Sequence, residues 1–117
     1  MLISEYFTRA EMACGCGCGL DSMDGETLMI ADEARNFAGH SIKPSSAARC
    51  LTHNRAIGSD DDSQHVACRA MDLPVDEPWE LYRYLCEQYP DEYGFGLYNT
   101  FVHVDTKSGP PRRWDMT

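Results

Sequence analysis

Two histidines and an aspartate are the residues of this chain best suited to hold a metal ion together. His65 and Asp72 lie seven positions apart in the segment SQHVACRAMD, and His103 lies in the later run FVHVD. Imidazole nitrogens and carboxylate oxygens are both zinc ligands, and three protein ligands leave a fourth position for water. The residue types and their spacing therefore favour an open zinc site, with Zn²⁺ as the expected cofactor.

These three side chains can meet only if the backbone presents them on one side. Successive side chains of a β-strand point to opposite faces. In a predicted strand at 69–75, Asp72 faces away from the apolar residues at 71 and 73. In a predicted strand at 100–106, His103 shares a face with Asp105, and the valines at 102 and 104 form the other face. We expect Asp72 and His103 on neighbouring strands, with His65 reaching them from the preceding loop.

Length and charge narrow the class of protein. A chain of 117 residues with 43% hydrophobic content is expected to fold as one domain covering 1–117. Nineteen acidic residues against ten Lys and Arg give a net charge of −9, which disfavours nucleic acid and anionic lipid as partners. No apolar run approaches the roughly 20 residues of a membrane span, and the first residues lack signal-peptide features. We expect a monomer that is made in the cytoplasm.

The predicted elements give an α+β fold, in which helices pack on a small antiparallel sheet. Long helices are predicted at 24–37 and 77–89, and Gly39 ends the first of them. Short helical turns are predicted after Thr8, where Glu11 completes a capping-box spacing, and at 52–57. The predicted strands lie at 69–75, 93–98 and 100–106, with a further strand-like segment at 42–49. The tail at 108–117 is expected to be a loop.

Three cysteines alternate with glycines near the start of the chain. Cys14, Cys16 and Cys18 belong to the run CGCGCG, which cannot hold a helix and predicts a loop. Their thiols could bind zinc or form a disulfide, but a closed zinc site needs four ligands and no fourth is evident nearby. In a cytosolic chain we favour free, buried thiols. Metal binding or pairing stays open as the alternative.

Several short motifs occur in a fixed order along residues 4–114. They are EYF followed by the Cys-Gly repeat, Arg49-Cys50 with His53-Asn54, the loop ending in DSQH, GFGLY, FVHVD and a late Arg-Trp pair. Together with the spacing of His65 and Asp72, this order resembles the M15 family of zinc D-Ala-D-Ala carboxypeptidases and endopeptidases. The small members encoded by phages and prophages are the most similar. The resemblance implies a hedgehog/D-Ala-D-Ala-peptidase-like fold that carries a zinc site.

The resemblance also implies roles for single residues. His65, Asp72 and His103 match the zinc ligands of the family. Arg49 matches an arginine beside the substrate that steadies its carbonyl oxygen or carboxylate, a role that suits the guanidinium fork. Ser63 matches a serine that either donates a hydrogen bond to substrate or braces the metal-binding loop.

Two positions depart from the family pattern. Cys68 stands where glycine is usual, and we favour a packing role for it. Many relatives carry a general base two or three residues before the last ligand, where this chain has Phe101 and Thr100, and neither side chain can accept the proton. Asp105 is the substitute candidate, because it shares a face with His103. It could instead be a carboxylate that orients His103, and both interpretations remain open.

The resemblance implies a zinc metallopeptidase that hydrolyses a peptide bond in the stem peptides of peptidoglycan. Such an enzyme would serve cell-wall lysis or remodelling, as a phage endolysin does, and would reach the wall after release or injection. The first alternative is a zinc-stabilised module that binds the wall or a protein without catalysis, as in the hedgehog signalling domain. The second is a structural phage component.

Overall fold

The computed structural model describes all of residues 1–117 as four helices and four strands. The helices are α1 (Arg9–Met12), α2 (Gly25–Ala38), α3 (Leu51–Ala56) and α4 (Pro78–Gln88). The strands are β1 (Ala70–Pro74), β2 (Gly94–Leu97), β3 (Phe101–Asp105) and β4 (Arg112–Asp115). The predicted α+β class is confirmed. None of the four helices combines the length and the apolar character that crossing a membrane requires.

Capping side chains set the ends of the first two helices. Thr8 begins α1 in a capping box with Glu11, as the sequence predicts. Asp24 begins α2, where its carboxylate accepts a hydrogen bond from the Thr27 amide. Gly39 ends α2 with φ of 74°, a left-handed conformation that glycine adopts without steric strain. Local sequence therefore determines where these helices start and stop.

The four strands form one sheet in the order β1-β3-β2-β4. β1, β3 and β2 are antiparallel neighbours, as predicted, whereas β4 pairs in parallel with β2. The expectation of a loop at 108–117 is therefore wrong for Arg112–Asp115. This strand has four residues, three of them charged, so its own sequence carries little strand signal, and pairing with β2 supplies its backbone hydrogen bonds. The segment at 42–49 forms no strand, and a single bridge between Ser46 and Asp72 replaces the expected one.

One face of the sheet packs against the long helices α2 and α4. The fully buried side chains there are aliphatic or aromatic: Met71, Leu73, Phe95, Val102 and Val104 from the sheet, with Ile30, Leu81 and Leu85 from the helices. Burying each side chain of this size stabilises the fold by about 1.5–3 kcal/mol. Because one face of β1 and β3 is fixed in this way, their other face, which carries the polar side chains, is held in place.

Candidate metal centre

The three predicted ligands converge on the polar face of the sheet, and we call them the sheet centre. Asp72 in β1 is paired with His103 in β3, and His65 approaches from the turn before β1. The Asp72 Oδ1 atom lies 2.9 Å from His103 Nδ1 and 3.3 Å from His65 Nε2. Zinc bonds of about 2.0–2.1 Å in a tetrahedron place ligand atoms about 3.4 Å apart. The three donor atoms therefore fit around a zinc ion.

The His65 ring is oriented by the backbone of the neighbouring segment. It is 4% exposed, and its Nδ1–H donates a hydrogen bond of 2.7 Å to the carbonyl oxygen of Ala47. This contact fixes the tautomer and leaves Nε2 to face Asp72. The Ser63 hydroxyl accepts a hydrogen bond from the His65 amide at 3.3 Å. Ser63 thus contacts the turn that carries the histidine.

The His103 ring is oriented by a side chain, Asp105. Its Nε2 lies 2.8 Å from the Asp105 Oδ2 atom, which leaves Nδ1 toward Asp72. Asp105 is 1% exposed, and its Oδ1 atom accepts hydrogen bonds from the Lys107 amide and the Arg112 guanidinium. Both carboxylate oxygens are therefore engaged. Of its two interpretations, this geometry matches the carboxylate that orients His103.

Charge pairing sets the protonation of these groups. Burial disfavours the charged form of His103, yet hydrogen bonds to Asp105 and Asp72 raise its pKa. Burial would raise the pKa of Asp72, but interactions with His103 and His65 outweigh it and lower that pKa. Interactions with His103 and Arg112 lower the pKa of Asp105 against its burial. Both aspartates are therefore anionic at neutral pH, as a site for a divalent cation requires.

A glycine in β2 makes room for the pair of Asp105 and Arg112. Gly94 is opposite Asp105 on one side and Arg112 on the other. A Cβ atom at Gly94 would lie 2.5 Å from the Arg112 guanidinium and 2.6 Å from the Asp105 carboxylate. Arg112 was not predicted from the sequence, although a glycine within a strand often marks a site where another group approaches the backbone closely.

A second glycine, Gly96, makes room for Trp114. It lies between His103 in β3 and Trp114 in β4, and a Cβ atom there would overlap the indole ring. The indole therefore lies against the backbone of Gly96, with its ring centroid 5.2 Å from that of His103. Trp114 and Arg112 form the side of the centre that the late strand β4 contributes.

Arg49 is a buried cation close to the sheet centre. Its side chain is 8% exposed and donates hydrogen bonds to Asn54 Oδ1 at 2.9 Å and Ser46 Oγ at 2.8 Å. Ser46 also bridges to the backbone of Asp72, which brings this segment against the centre. Both side-chain partners are neutral, and Arg49 forms none of the ion pairs of the structure. A buried charge with neutral partners favours an anionic ligand.

A groove of about 280 Å³ opens over the polar face of the sheet. One wall is the loop at 59–64, which includes Asp60 and Asp62, and the other includes His103, Lys107 and Trp114. A ligand can therefore reach His103 from solvent along this groove.

The three N-terminal cysteines gather as well, and a fourth joins them. The Sγ atoms of Cys14, Cys16, Cys18 and Cys50 all lie within 4.8 Å of one another, and we call this group the cysteine cluster. All four are free thiols. The expectation of buried thiols holds for Cys14 and is wrong for Cys16 and Cys18, which are exposed. The fourth thiol was missed because Cys50 is distant in sequence.

Cys68 occupies a turn beside the sheet centre with φ of 58°. This is the left-handed region, which glycine enters without strain and other residues rarely adopt. This backbone conformation explains why glycine is usual at the matching position of the family that the sequence resembles.

Comparison with known families identifies the family of the chain. The family described as peptidase M15 matches residues 5–105. The chain belongs to the peptidase M15 family. It is therefore a metallopeptidase, and the resemblance seen in the sequence is confirmed. Peptidases of this family in general depend on zinc, and the matched range includes Arg49 and the whole sheet centre but ends before β4. No curated protein matches the chain.

Proposed function

We propose that this peptidase is zinc-dependent and hydrolyses a peptide bond in peptidoglycan stem peptides. The observation that supports this most directly is the convergence of three donor atoms beside an open groove. Three protein ligands characterise catalytic zinc sites, whereas structural sites are closed by four. We assign His65, Asp72 and His103 as the ligands.

The charge of Arg49 favours a D-Ala-D-Ala carboxypeptidase or endopeptidase. The stem peptide ends in a carboxylate and offers carbonyl oxygens along its length, and a guanidinium fork can bind either group. No acidic side chain competes for Arg49, because Asn54 and Ser46 are its hydrogen-bond partners. We therefore assign Arg49 to substrate binding and to stabilising charge on the scissile carbonyl oxygen. We assign Ser63 to stabilising the turn that carries His65, whose amide donates a hydrogen bond to the Ser63 hydroxyl.

The mechanism assigns separate tasks to the residues of the centre. A bound zinc ion would act as a Lewis acid toward the carbonyl and would make water more acidic. Asp105 and the Ala47 carbonyl hold the two imidazoles in the orientation that this ion needs. Asp105 is an unsuitable base because both of its oxygens are engaged. Asp60 and Asp62 are the other carboxylates that line the groove.

We place this activity in cell-wall lysis or remodelling of the phage endolysin type. The proposal rests on the similarity to small phage-encoded members and on the match to the peptidase M15 family. The protein would be made in the cytoplasm, act as a monomer, and reach the wall after release or injection. Its net charge of −9 disfavours nucleic acid and anionic membranes as competing partners.

The test uses purified peptidoglycan, with mass spectrometry of the released products. We expect cleavage of stem peptides, its loss with a chelator and its return with zinc. His65→Ala should lower the rate at least about 10³-fold, because the removal of a ligand disables the metal on which catalysis depends. His40→Ala is the matched control, since His40 lies outside the centre and pairs with Asp76. Undiminished hydrolysis by His65→Ala would disprove the mechanism.

A binding module without catalysis is the second candidate. It is favoured by the absence of a base before His103, where Thr100 is exposed and Phe101 stacks on Tyr98 with ring centroids 4.3 Å apart. A zinc-loaded protein that binds the wall but releases no product from any peptidoglycan fragment would favour this candidate. The same experiment therefore separates the two.

A further inference from the structure

We propose that the cysteine cluster is a second metal site, which binds one zinc ion through four thiolates. It shares no residue with the sheet centre and goes beyond the proposed peptidase function. A site of four thiolates is closed, so its role is structural. It would attach the loop at 14–18 to the start of α3.

The four sulfur atoms lie within 4.8 Å of one another, and two of their separations are close to those of a tetrahedral site. Cys16 Sγ lies 3.5 Å from Cys14 Sγ and 3.6 Å from Cys50 Sγ. Zinc–sulfur bonds of about 2.3 Å place tetrahedral ligands about 3.8 Å apart. A disulfide would need about 2.05 Å between two of these atoms. Four thiolates in a tetrahedron favour zinc over harder cations, which prefer oxygen ligands.

The backbone of the loop is folded to present its sulfur atoms on one side. The Cys14 carbonyl accepts a hydrogen bond from the Gly17 amide at 3.2 Å, and the Cys14 amide donates to the Leu20 carbonyl at 2.7 Å. Gly17 and Gly19 have φ of 79° and 93°, in the left-handed region. The alternating glycines thus permit a tight reversal that brings the cysteines together.

Backbone amides donate to two of the sulfur atoms. The Cys50 amide lies 3.4 Å from Cys14 Sγ, and the His53 amide lies 3.3 Å from Cys50 Sγ. Such donors stabilise thiolate, the form of cysteine that binds metals. Cys16 and Cys18 are exposed, and free thiols so close together at the surface are prone to oxidation. A bound metal ion would protect them from it.

The site would hold a catalytic element in place. Cys50 directly follows Arg49 in the chain and is the N-cap residue of α3. Asn54, a residue of α3, accepts a hydrogen bond from the Arg49 side chain. A metal at Cys50 therefore fixes both the backbone beside Arg49 and the helix that orients its guanidinium.

The first experiment counts zinc in the full chain purified under reducing conditions. We expect two zinc ions per chain, measured by native mass spectrometry and elemental analysis. Cys50→Ser and His65→Ala should each retain one ion, from different sites. Cys86→Ser is the matched control and should retain two, because Cys86 lies on α4 outside the cluster. His65→Ala reports only on the sheet centre and Cys50→Ser only on the cysteine cluster. Failure of the peptidase proposal can therefore be distinguished from failure of the second metal site.

The second experiment needs no variant, so it remains informative if Cys50→Ser does not fold. In the native protein, Cys16 and Cys18 should resist alkylation although both are exposed, and a chelator should make them reactive. Replacement of zinc by cobalt should give intense thiolate-to-metal charge-transfer absorption. Rapid alkylation without chelator, a disulfide within the cluster or iron in place of zinc would overturn the proposal.

Discussion

The sheet centre and the cysteine cluster are held by different kinds of backbone. Asp72 and His103 lie on paired strands whose opposite face is buried in the core. The cysteines lie in a glycine-rich turn and at the start of a six-residue helix. The packed core positions the two strands, whereas the loop at 14–18 is held mainly by backbone hydrogen bonds. The sheet centre, with three ligands and an open position, is supported by the packed core. The cysteine cluster, with four ligands, would itself stabilise a loop that the core does not support.

The donor atoms of the two sites also differ in what orients them. The histidines of the sheet centre are each oriented by a further hydrogen bond, to Ala47 and to Asp105. The sulfur atoms of the cluster depend on backbone amides and on one another. We therefore expect mutations of the sheet-centre ligands to abolish catalysis, and mutations in the cluster to leave the zinc ion of the sheet centre in place.

Among variants that keep all three zinc ligands, Arg49→Ala should show the largest effect, because Arg49 is the residue assigned to the substrate. Arg49→Ala should lower kcat/KM by about 10²–10³-fold, as loss of an oxyanion donor does, with both zinc ions retained. Arg49→Lys should recover little, since an ammonium cannot reproduce the bidentate fork. Arg55→Ala is the control, because Arg55 forms only an exposed pair with Asp61. Kinetics with metal analysis checks this, and the loss of a zinc ion in Arg49→Ala would contradict the assignment.

Asp105→Asn should have an intermediate effect that is confined to the sheet centre. We expect zinc affinity there to fall by about 10–100-fold, because His103 loses the carboxylate that orients it. Saturating zinc should then restore most of the activity, and the cysteine cluster should keep its ion. Zinc titration of activity measures both effects, with the exposed Asp115→Asn as control. Activity that stays low at saturating zinc would instead identify Asp105 as the general base.

Gly96→Ala should show the smallest effect and tests the packing of the sheet centre alone. A Cβ atom there overlaps the Trp114 indole, so the ring must move away from His103. We expect a loss of about 1–3 kcal/mol in the free energy of unfolding, measured in urea. Gly25→Ala is the control, since no atom lies within 4 Å of its added Cβ. Equal stability of the two variants would show that Trp114 is not held by this contact.

The sequence alone was sufficient to predict which face of its strand Asp72 and His103 each occupy, because that information is local, whereas the full ligand set also required the family resemblance. Alternation in two apolar strands puts Asp72 and His103 on the face opposite the buried residues at 71, 73, 102 and 104. The ends of α1 and α2 were likewise predictable, because a capping residue lies next to each helix that it begins. Periodicity and capping are properties of neighbouring residues, which a single sequence displays directly.

The remaining parts depend on pairing between distant segments. Arg112 joins Asp105 only because β4 pairs with β2, and a four-residue segment with three charged side chains gives no sign of that partner. Cys50 joins the other cysteines only because α3 packs beside the loop at 14–18. The choice between two roles for Asp105 required the knowledge that both of its oxygens are bonded. None of these contacts follows from periodicity.

The direct succession of Arg49 and Cys50 has a consequence for inhibition. A compound that attacks soft thiolates would extract the ion of the cysteine cluster and loosen the backbone beside Arg49. Such a compound could inactivate the peptidase without entering the groove, and substrate would not compete with it. Noncompetitive loss of activity by thiol reagents would then distinguish this chain from M15 peptidases that lack the four cysteines.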